Sequence, residues 1–147
     1  MSHRLELAGF ELVVHRREFP DATDYWDGNW LVVTCSCQAS GSFVEANGSF
    51  VRIDELQHLQ KCLEVLHAGI QEKCELNCME PELSLRFEIG KRGNINFQVR
   101  LTPDNIKQSH STSFDIDQSY LPSAIKQCKA ILENYPIRDG QVEHSSD

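Results

Sequence analysis

Two pairs of cysteines are the residues of this chain whose types and spacing come nearest to a metal site. Cys35 and Cys37 are separated by one residue, and Cys74 and Cys78 are separated by three. The first pair would share one face of a strand, and the second would share one face of a helix if the first predicted helix resumed there. Neither pair has the Cys-x2-Cys spacing that is common in zinc sites. A four-thiolate zinc site is the alternative; we favour buried or incidental thiols, with no bound metal and no cofactor.

The remaining two cysteines indicate a structural role. Cys62 and Cys128 fall on the apolar stripes of two predicted helices, where a thiol packs as a small hydrophobic group. The first 15 residues lack the uninterrupted apolar stretch of a signal peptide, so we expect a cytoplasmic protein in a reducing compartment. The sequence therefore predicts that the six cysteines are free thiols.

Motifs for catalysis are missing from the sequence. The chain has no Gly-x-Ser-x-Gly elbow and no glycine-rich phosphate loop that ends in Lys-Ser or Lys-Thr. Its six histidines form no i, i+4 pair within a predicted helix. Asp115 and Asp117 lie near the end of a predicted strand, where they lead into a helix cap. We therefore predict a protein that is not an enzyme and has no catalytic residues.

The charge balance narrows the class of partner. The 147 residues include 14 basic and 22 acidic side chains, which gives a formal net charge of −8. Affinity for nucleic acid rests mainly on neutralising phosphates with Lys and Arg, so we expect no nucleic-acid partner. No apolar run approaches the roughly 18 residues of a membrane span, so we expect no membrane contact. An acidic surface is instead typical of proteins that attract a basic protein partner.

The segment 18–30 combines acidic and aromatic side chains and joins the first two predicted strands. Its candidates for contact with a protein partner are Asp21, Asp24, Tyr25, Trp26 and Asp27. Tyr and Trp are favoured anchors at interfaces, and carboxylates steer basic partners. The alternative is a solvated hairpin loop in which Asp27, Gly28 and Asn29 supply the turn geometry. We expect Trp30 to enter the core, because it heads a strand that has apolar side chains on both faces.

Alternation of apolar and polar residues predicts three strands in the first half of the chain. The first runs over residues 5–14 and bends at Gly9, the second over 30–35, and the third over 43–44. The spacing of apolar residues then changes to a helical period.

The first predicted helix has one apolar stripe, from Ile53 to Ile70. Asp54 followed by Gln57 indicates a capping box at its start, since a carboxylate there can accept hydrogen bonds from the free amides of the first turn. Gly69 is placed to end the helix in the left-handed conformation.

The second half repeats this order. Clean alternation predicts strands at 83–89 and 95–101, with a weaker third strand at 112–116. A second amphipathic helix spans 121–135, and Pro136 stops it.

The elements together predict an α+β fold in the order βββα-βββα. We expect a mainly antiparallel β-sheet of about six strands with two helices packed on it, so that the helices cover an apolar face. A single domain is predicted over 1–137. Residues 138–147 have almost no apolar side chains and are predicted to form a flexible C-terminal tail.

A stretch of the first half resembles a known family. The segment DYWDGNWLVVTCSC, followed by GSF and RIDELQHLQKCLEVL, resembles the bacterial family of WapI-type immunity proteins. The matching positions are Asp27, Asn29, Trp30 and Leu31 at the strand, and Asp54, Glu55 and Leu56 at the helix. The resemblance covers residues 10–70 and implies that the strand motif is structural. It also implies a non-enzymatic α+β protein of the cytoplasm that binds and neutralises a toxin.

Three hypotheses of function remain open on the sequence alone. The leading one is an immunity-like protein whose partner is a basic toxin domain. The second is a thiol-based metal-binding protein that uses Cys35, Cys37, Cys74 and Cys78. The third is a structural domain that self-associates through exposed sheet edges. Both a monomer and a homodimer are compatible with the sequence.

Overall fold

A computed structural model describes residues 3–140, which form eight strands and three α-helices. In chain order these are β1 (Arg4–Leu7), β2 (Phe10–Arg17), α1 (Tyr25–Gly28), β3 (Trp30–Ala39), β4 (Ser42–Arg52), α2 (Ile53–His67), β5 (Lys73–Asn77), β6 (Leu83–Ile89), β7 (Ile95–Leu101), β8 (Ser111–Ile116) and α3 (Leu121–Asn134), the last preceded by a 3-10 turn at Gln118–Tyr120. None of the helices described for residues 3–140 is long and apolar enough to span a membrane.

The strands form two antiparallel sheets of four strands each, in the orders β1-β2-β3-β4 and β5-β6-β7-β8. The sheets meet in the core, where Phe10 and Phe97 pack edge to face with ring centroids 6.3 Å apart. Helices α2 and α3 pack against each other, while α2 also contacts β5 and α3 contacts β1. The predicted α+β class is confirmed. The structure has eight strands in two sheets, whereas the sequence predicted about six strands in one sheet.

The predicted bent strand over 5–14 is a hairpin. Ala8 and Gly9 form its turn, and Leu7 pairs with Phe10. In one continuous strand Leu7 and Phe10 would point to opposite faces, because side chains alternate with a period of two. The two-residue turn brings both onto one face, and both are buried. The change in phase of the apolar alternation therefore marks a turn rather than a bend.

Strand β5 occupies a segment that the sequence indicates only as a connection. Leu76 is buried and Cys74 is partly buried, so the strand presents just two side chains to the core. Two inward residues are too few to identify a strand by alternation. The helix that would place Cys74 and Cys78 on one face does not form, because pairing with β6 fixes this segment as the first strand of the second sheet.

Helix α2 begins directly after β4, with Arg52 as its N-cap residue. The Glu55 carboxylate accepts a hydrogen bond from the backbone N–H of Arg52 at 2.8 Å. The predicted capping pair of Asp54 and Gln57 is therefore wrong, because the Asp54 carboxylate instead binds the Arg52 side chain at 2.8 Å. Gly69, with a φ of +74°, follows the end of the helix in the left-handed conformation, as predicted.

A disulfide joins Cys62 on α2 to Cys74 on β5, with the two Cα atoms 5.7 Å apart. The prediction of free thiols is wrong for this pair, because the packing of β5 against α2 brings the two cysteines together. The free cysteines of the structure are Cys35, Cys37, Cys78 and Cys128.

Replacing both Cys62 and Cys74 with serine is expected to lower the free energy of unfolding by about 3 kcal/mol. The crosslink joins residues 12 positions apart and so restricts the conformations of the unfolded chain. Urea denaturation of the oxidised wild type and of the double variant measures the difference. Wild type kept in excess dithiothreitol serves as the control and should match the double variant. Identical midpoints for oxidised and reduced wild type would contradict the crosslink.

Candidate functional site

Residues 18–29, hereafter the acidic loop, join β2 to β3 and form a structured turn. The Asp24 carboxylate accepts a hydrogen bond from the backbone N–H of Asp27 at 3.0 Å and caps α1. The backbone N–H of Ala22 donates to the carbonyl of Phe19 at 3.1 Å, which closes the preceding turn. Asp21, Asp24 and Asp27 are all exposed. The loop therefore presents its carboxylates to solvent from a backbone that its own hydrogen bonds constrain.

The acidic loop is held from below by Arg52, whose side chain is fully buried. One guanidinium nitrogen donates to the carbonyl of Trp26 at 2.7 Å, and another donates to the carbonyl of Tyr25 at 2.8 Å. The Nε atom donates to the Asp54 carboxylate at 2.8 Å. A buried charge is tolerated only when it is paired and hydrogen-bonded, and Arg52 meets both conditions.

Three aromatic rings enclose the same guanidinium. Its central carbon lies 5.0 Å from the ring centroids of Tyr25 and Trp30 and 5.3 Å from that of Trp26. Cation–π attraction acts at these distances. Tyr25 and Trp26 also contact each other edge to face, with centroids 5.3 Å apart. The cluster orients both rings of α1, yet Trp26 keeps 62% of its surface exposed.

The prediction that Trp30 enters the core is wrong. Buried residues alternate along β3, and Leu31 occupies the inward face at 0% exposure. Trp30 therefore lies on the outward face, where Arg52 and the acidic loop leave it only partly buried. Because both faces of this strand are mostly apolar, the alternation of residue types did not show which face points inward, and Trp30 could not be placed on the outward face from the sequence.

Asn29 ties the acidic loop to the C-terminal segment and is completely buried. Its side-chain amide donates to the carbonyls of Tyr25 at 2.8 Å and Arg138 at 2.7 Å, and its oxygen accepts from the N–H of Arg138 at 2.9 Å. The Arg138 guanidinium donates in turn to the carbonyls of Pro20 and Ala22. Arg138, the first residue of the predicted tail, is thus held against the loop, and residues 141–147 lie outside the described residues.

Arg17 binds the C-terminal end of the acidic loop, at Gly28. Its guanidinium donates to the carbonyl of Gly28 at 2.8 Å and to that of Pro136 at 2.6 Å. Burial, together with the neighbouring charge of Arg138, lowers the pKa of Arg17. Gly28 is required here, because a Cβ atom at this position would lie 2.8 Å from the carbonyl oxygen of Ala22.

The structure brings together all five predicted contact residues on α1 and the turn before it, and all five are exposed. Within the motif, Asn29 and Leu31 are buried, Trp30 is partly buried and Asp27 is exposed. Sequence reasoning missed the three supporting arginines, Arg17, Arg52 and Arg138. For Arg52 a signal exists, since it is the one charged residue in the apolar run 50–53.

The free cysteines are poor nucleophiles. Burial raises the pKa of the thiols of Cys35 and Cys78 far above the ordinary range, which keeps both protonated. Nucleophilic attack requires the thiolate. Cys74 is committed to its disulfide. Within residues 3–140 no group of three or more His, Cys, Asp or Glu side chains is placed to hold a metal ion.

Comparison with known protein families gives a match along most of the chain. The model of the immunity protein WapI-like family matches residues 4–136. No curated protein matches. Among solved structures, WHY1 from Arabidopsis thaliana has a TM-score of 0.47 at 14% identity, covering 92% of this chain and 90% of that one. WHY3 from the same plant has a TM-score of 0.49 at 13% identity, covering 92% and 88%.

Proposed function

Because the chain belongs to the immunity protein WapI-like family, we propose that it binds and neutralises a toxin partner and does so without catalysis. The family model extends over residues 4–136 and confirms the resemblance drawn from residues 10–70. The observation that supports a binding role for the acidic loop is the combination of exposed aromatic and acidic side chains with a backbone held by buried arginines.

A rigid loop is suited to binding because association must offset the free-energy cost of ordering side chains and loops. In the acidic loop the hydrogen bonds of Arg17, Asn29 and Arg52 have already fixed the backbone. Trp26 and Tyr25 then offer large contact area at little entropic cost, as interface anchors do. The loop therefore supports binding by preformed contacts rather than by folding on the partner.

The charge of the loop favours a basic toxin domain. Acidic side chains accelerate the encounter with a cationic partner over distances of about a Debye length, roughly 8 Å at physiological salt. The whole chain carries a net charge of −8, so its long-range field acts in the same direction. A toxin domain encoded by a neighbouring gene is the partner to test first, by co-expression and rescue of growth.

Replacing Asp21, Asp24 and Asp27 together with asparagine is expected to slow association with this toxin domain by about tenfold at low salt. Dissociation should change much less, and the deficit should shrink as salt rises, because screening removes long-range attraction. Asparagine caps helices as well as aspartate does, so α1 should persist. Stopped-flow mixing measures both rate constants.

A matched control separates local charge from net charge. Glu45, Glu72 and Glu133 are exposed and lie outside the acidic loop. Replacing them with glutamine removes the same three charges and should slow association less. If the asparagine variant associates at the wild-type rate in low salt, the acidic loop is a solvated turn and the contact surface lies elsewhere.

The cellular location of the protein is also part of the proposed function. We propose that the protein acts in the cytoplasm, and fractionation of cells expressing the tagged chain tests this. Light scattering of the purified protein distinguishes a monomer from a homodimer, the two states that the sequence left open.

A further inference from the structure

A second exposed apolar side chain lies on a segment that is linked to the acidic loop through Glu55 and Arg52. Met79, which is 56% exposed, belongs to the turn of residues 78–82 that joins β5 to β6, hereafter the 78–82 turn. A large apolar side chain held at this exposure on a tight turn has no role in the core. Met79 is therefore a second candidate, besides Trp26, for apolar contact with a partner.

One carboxylate connects the two segments. The two oxygens of Glu55, in the first turn of α2, accept hydrogen bonds from the backbone N–H of Arg52 at 2.8 Å and of Met79 at 2.7 Å. The Arg52 side chain meanwhile binds the carbonyl of Trp26. The first turn of α2, together with the Arg52 residue that precedes it, therefore hydrogen-bonds to the backbone of both Trp26 and Met79.

The Glu55 carboxyl is suited to this connecting role. Burial raises its pKa, while the amides of Met79 and Arg52 oppose that shift by stabilising the charged form. Only 9% of the residue is exposed. Since the amides are on the backbone, the spacing of the two segments is preserved when either exposed side chain is changed.

The three segments share one electrostatic character. Residues 18–29, 52–55 and 78–82 contain eight acidic residues and a single basic residue, Arg52, whose charge is buried and paired. Outside the acidic loop, the partly exposed acidic residues of these segments are Asp54, Glu80 and Glu82, although one carboxylate oxygen of Glu82 is buried. Trp26 and Met79 thus both belong to segments that are rich in acidic residues.

We propose that the acidic loop, the first turn of α2 and the 78–82 turn form a single surface for a basic protein partner, which places Arg or Lys side chains against Trp26 and against Met79. This inference rests on the proposed function. The aliphatic stem of such a side chain packs on the indole or on the thioether, and its cation meets the nearby carboxylates. Methionine suits this role because its flexible, polarisable side chain adapts to its neighbour.

The experiment uses the full chain and the toxin domain encoded beside its gene. The chain contains two methionines and two tryptophans, so methyl-labelled methionine and the indole N–H signals give a simple NMR spectrum. On binding, the Met79 methyl and the Trp26 indole should shift together. Met79→Ala should raise the Kd about tenfold, mainly through faster dissociation. Ile106→Ala, at a position that is 88% exposed between β7 and β8, is the matched control and should leave the Kd unchanged.

A charge reversal tests the chemistry of the occupant. Glu80→Lys should weaken binding by more than about tenfold, and Glu80→Gln should weaken it less, if the partner surface is basic. Tighter binding by Glu80→Lys would overturn the basic occupant. A complex in which Trp26 responds and Met79 does not would overturn the shared surface while leaving toxin binding intact. Failure of the wild type to bind the toxin domain would overturn the proposed function, and this inference with it.

Discussion

Replacing Arg52 with alanine is expected to lower the free energy of unfolding by about 3–5 kcal/mol, the cost of removing one partner of a buried charged network. The carbonyls of Tyr25 and Trp26 would lose their donors, and the Asp54 carboxylate would lose its cation. The space left beneath three aromatic rings adds a packing loss. Urea denaturation followed by circular dichroism measures the change.

Two controls show whether geometry or charge is responsible. Arg52→Lys retains the charge but lacks the planar fork of donors, so it should remain substantially destabilised. Arg4→Ala removes an exposed arginine that pairs with Glu11 at 2.9 Å and should cost about 1 kcal/mol or less. A loss of under about 1 kcal/mol for Arg52→Ala would contradict the role of Arg52 as the support of the acidic loop.

Replacing Trp26 with alanine is expected to raise the Kd for the toxin domain about thirtyfold or more, the effect of losing an interface hot spot of at least about 2 kcal/mol. Trp26 is 62% exposed, so stability should fall by no more than about 1 kcal/mol, the value of its cation–π contact. Isothermal titration calorimetry gives the Kd, and denaturation gives the stability. Trp26→Ala is thus expected to affect the Kd much more than the stability, whereas the effect expected for Arg52→Ala is a large loss of stability.

Phe43 provides the matched control for Trp26. It is an aromatic residue on β4 that is 59% exposed, and it lies outside all three segments of the proposed surface. Phe43→Ala should leave the Kd within about twofold of the wild type, as exposed substitutions away from an interface do. A wild-type Kd for Trp26→Ala would remove the anchor from the proposal, whatever the effect of the acidic residues.

Local patterns in the sequence determined most of the elements. The strands at 83–89 and 95–101 and the helix at 121–135 follow from alternation and from a 3.6-residue period, and the structure contains them with nearly the same bounds. Pro136 and Gly69 marked helix ends because their backbone preferences act within a single turn. The carboxylates and rings of the acidic loop were also visible, since residue type alone identified them as candidates.

What lies beneath the acidic loop was decided only by the tertiary structure. Arg138 binds Asn29 across 109 positions of the chain, and Arg52 binds Trp26 across 26. The division into two sheets and the Cys62–Cys74 disulfide likewise depend on which distant segments pack together. Periodicity reports how one segment divides its side chains between core and solvent, and it contains no information about which other segment supplies a partner. A charged side chain such as Arg52 can be buried only where distant carbonyls and rings converge on it, so its role emerges only once the chain has folded.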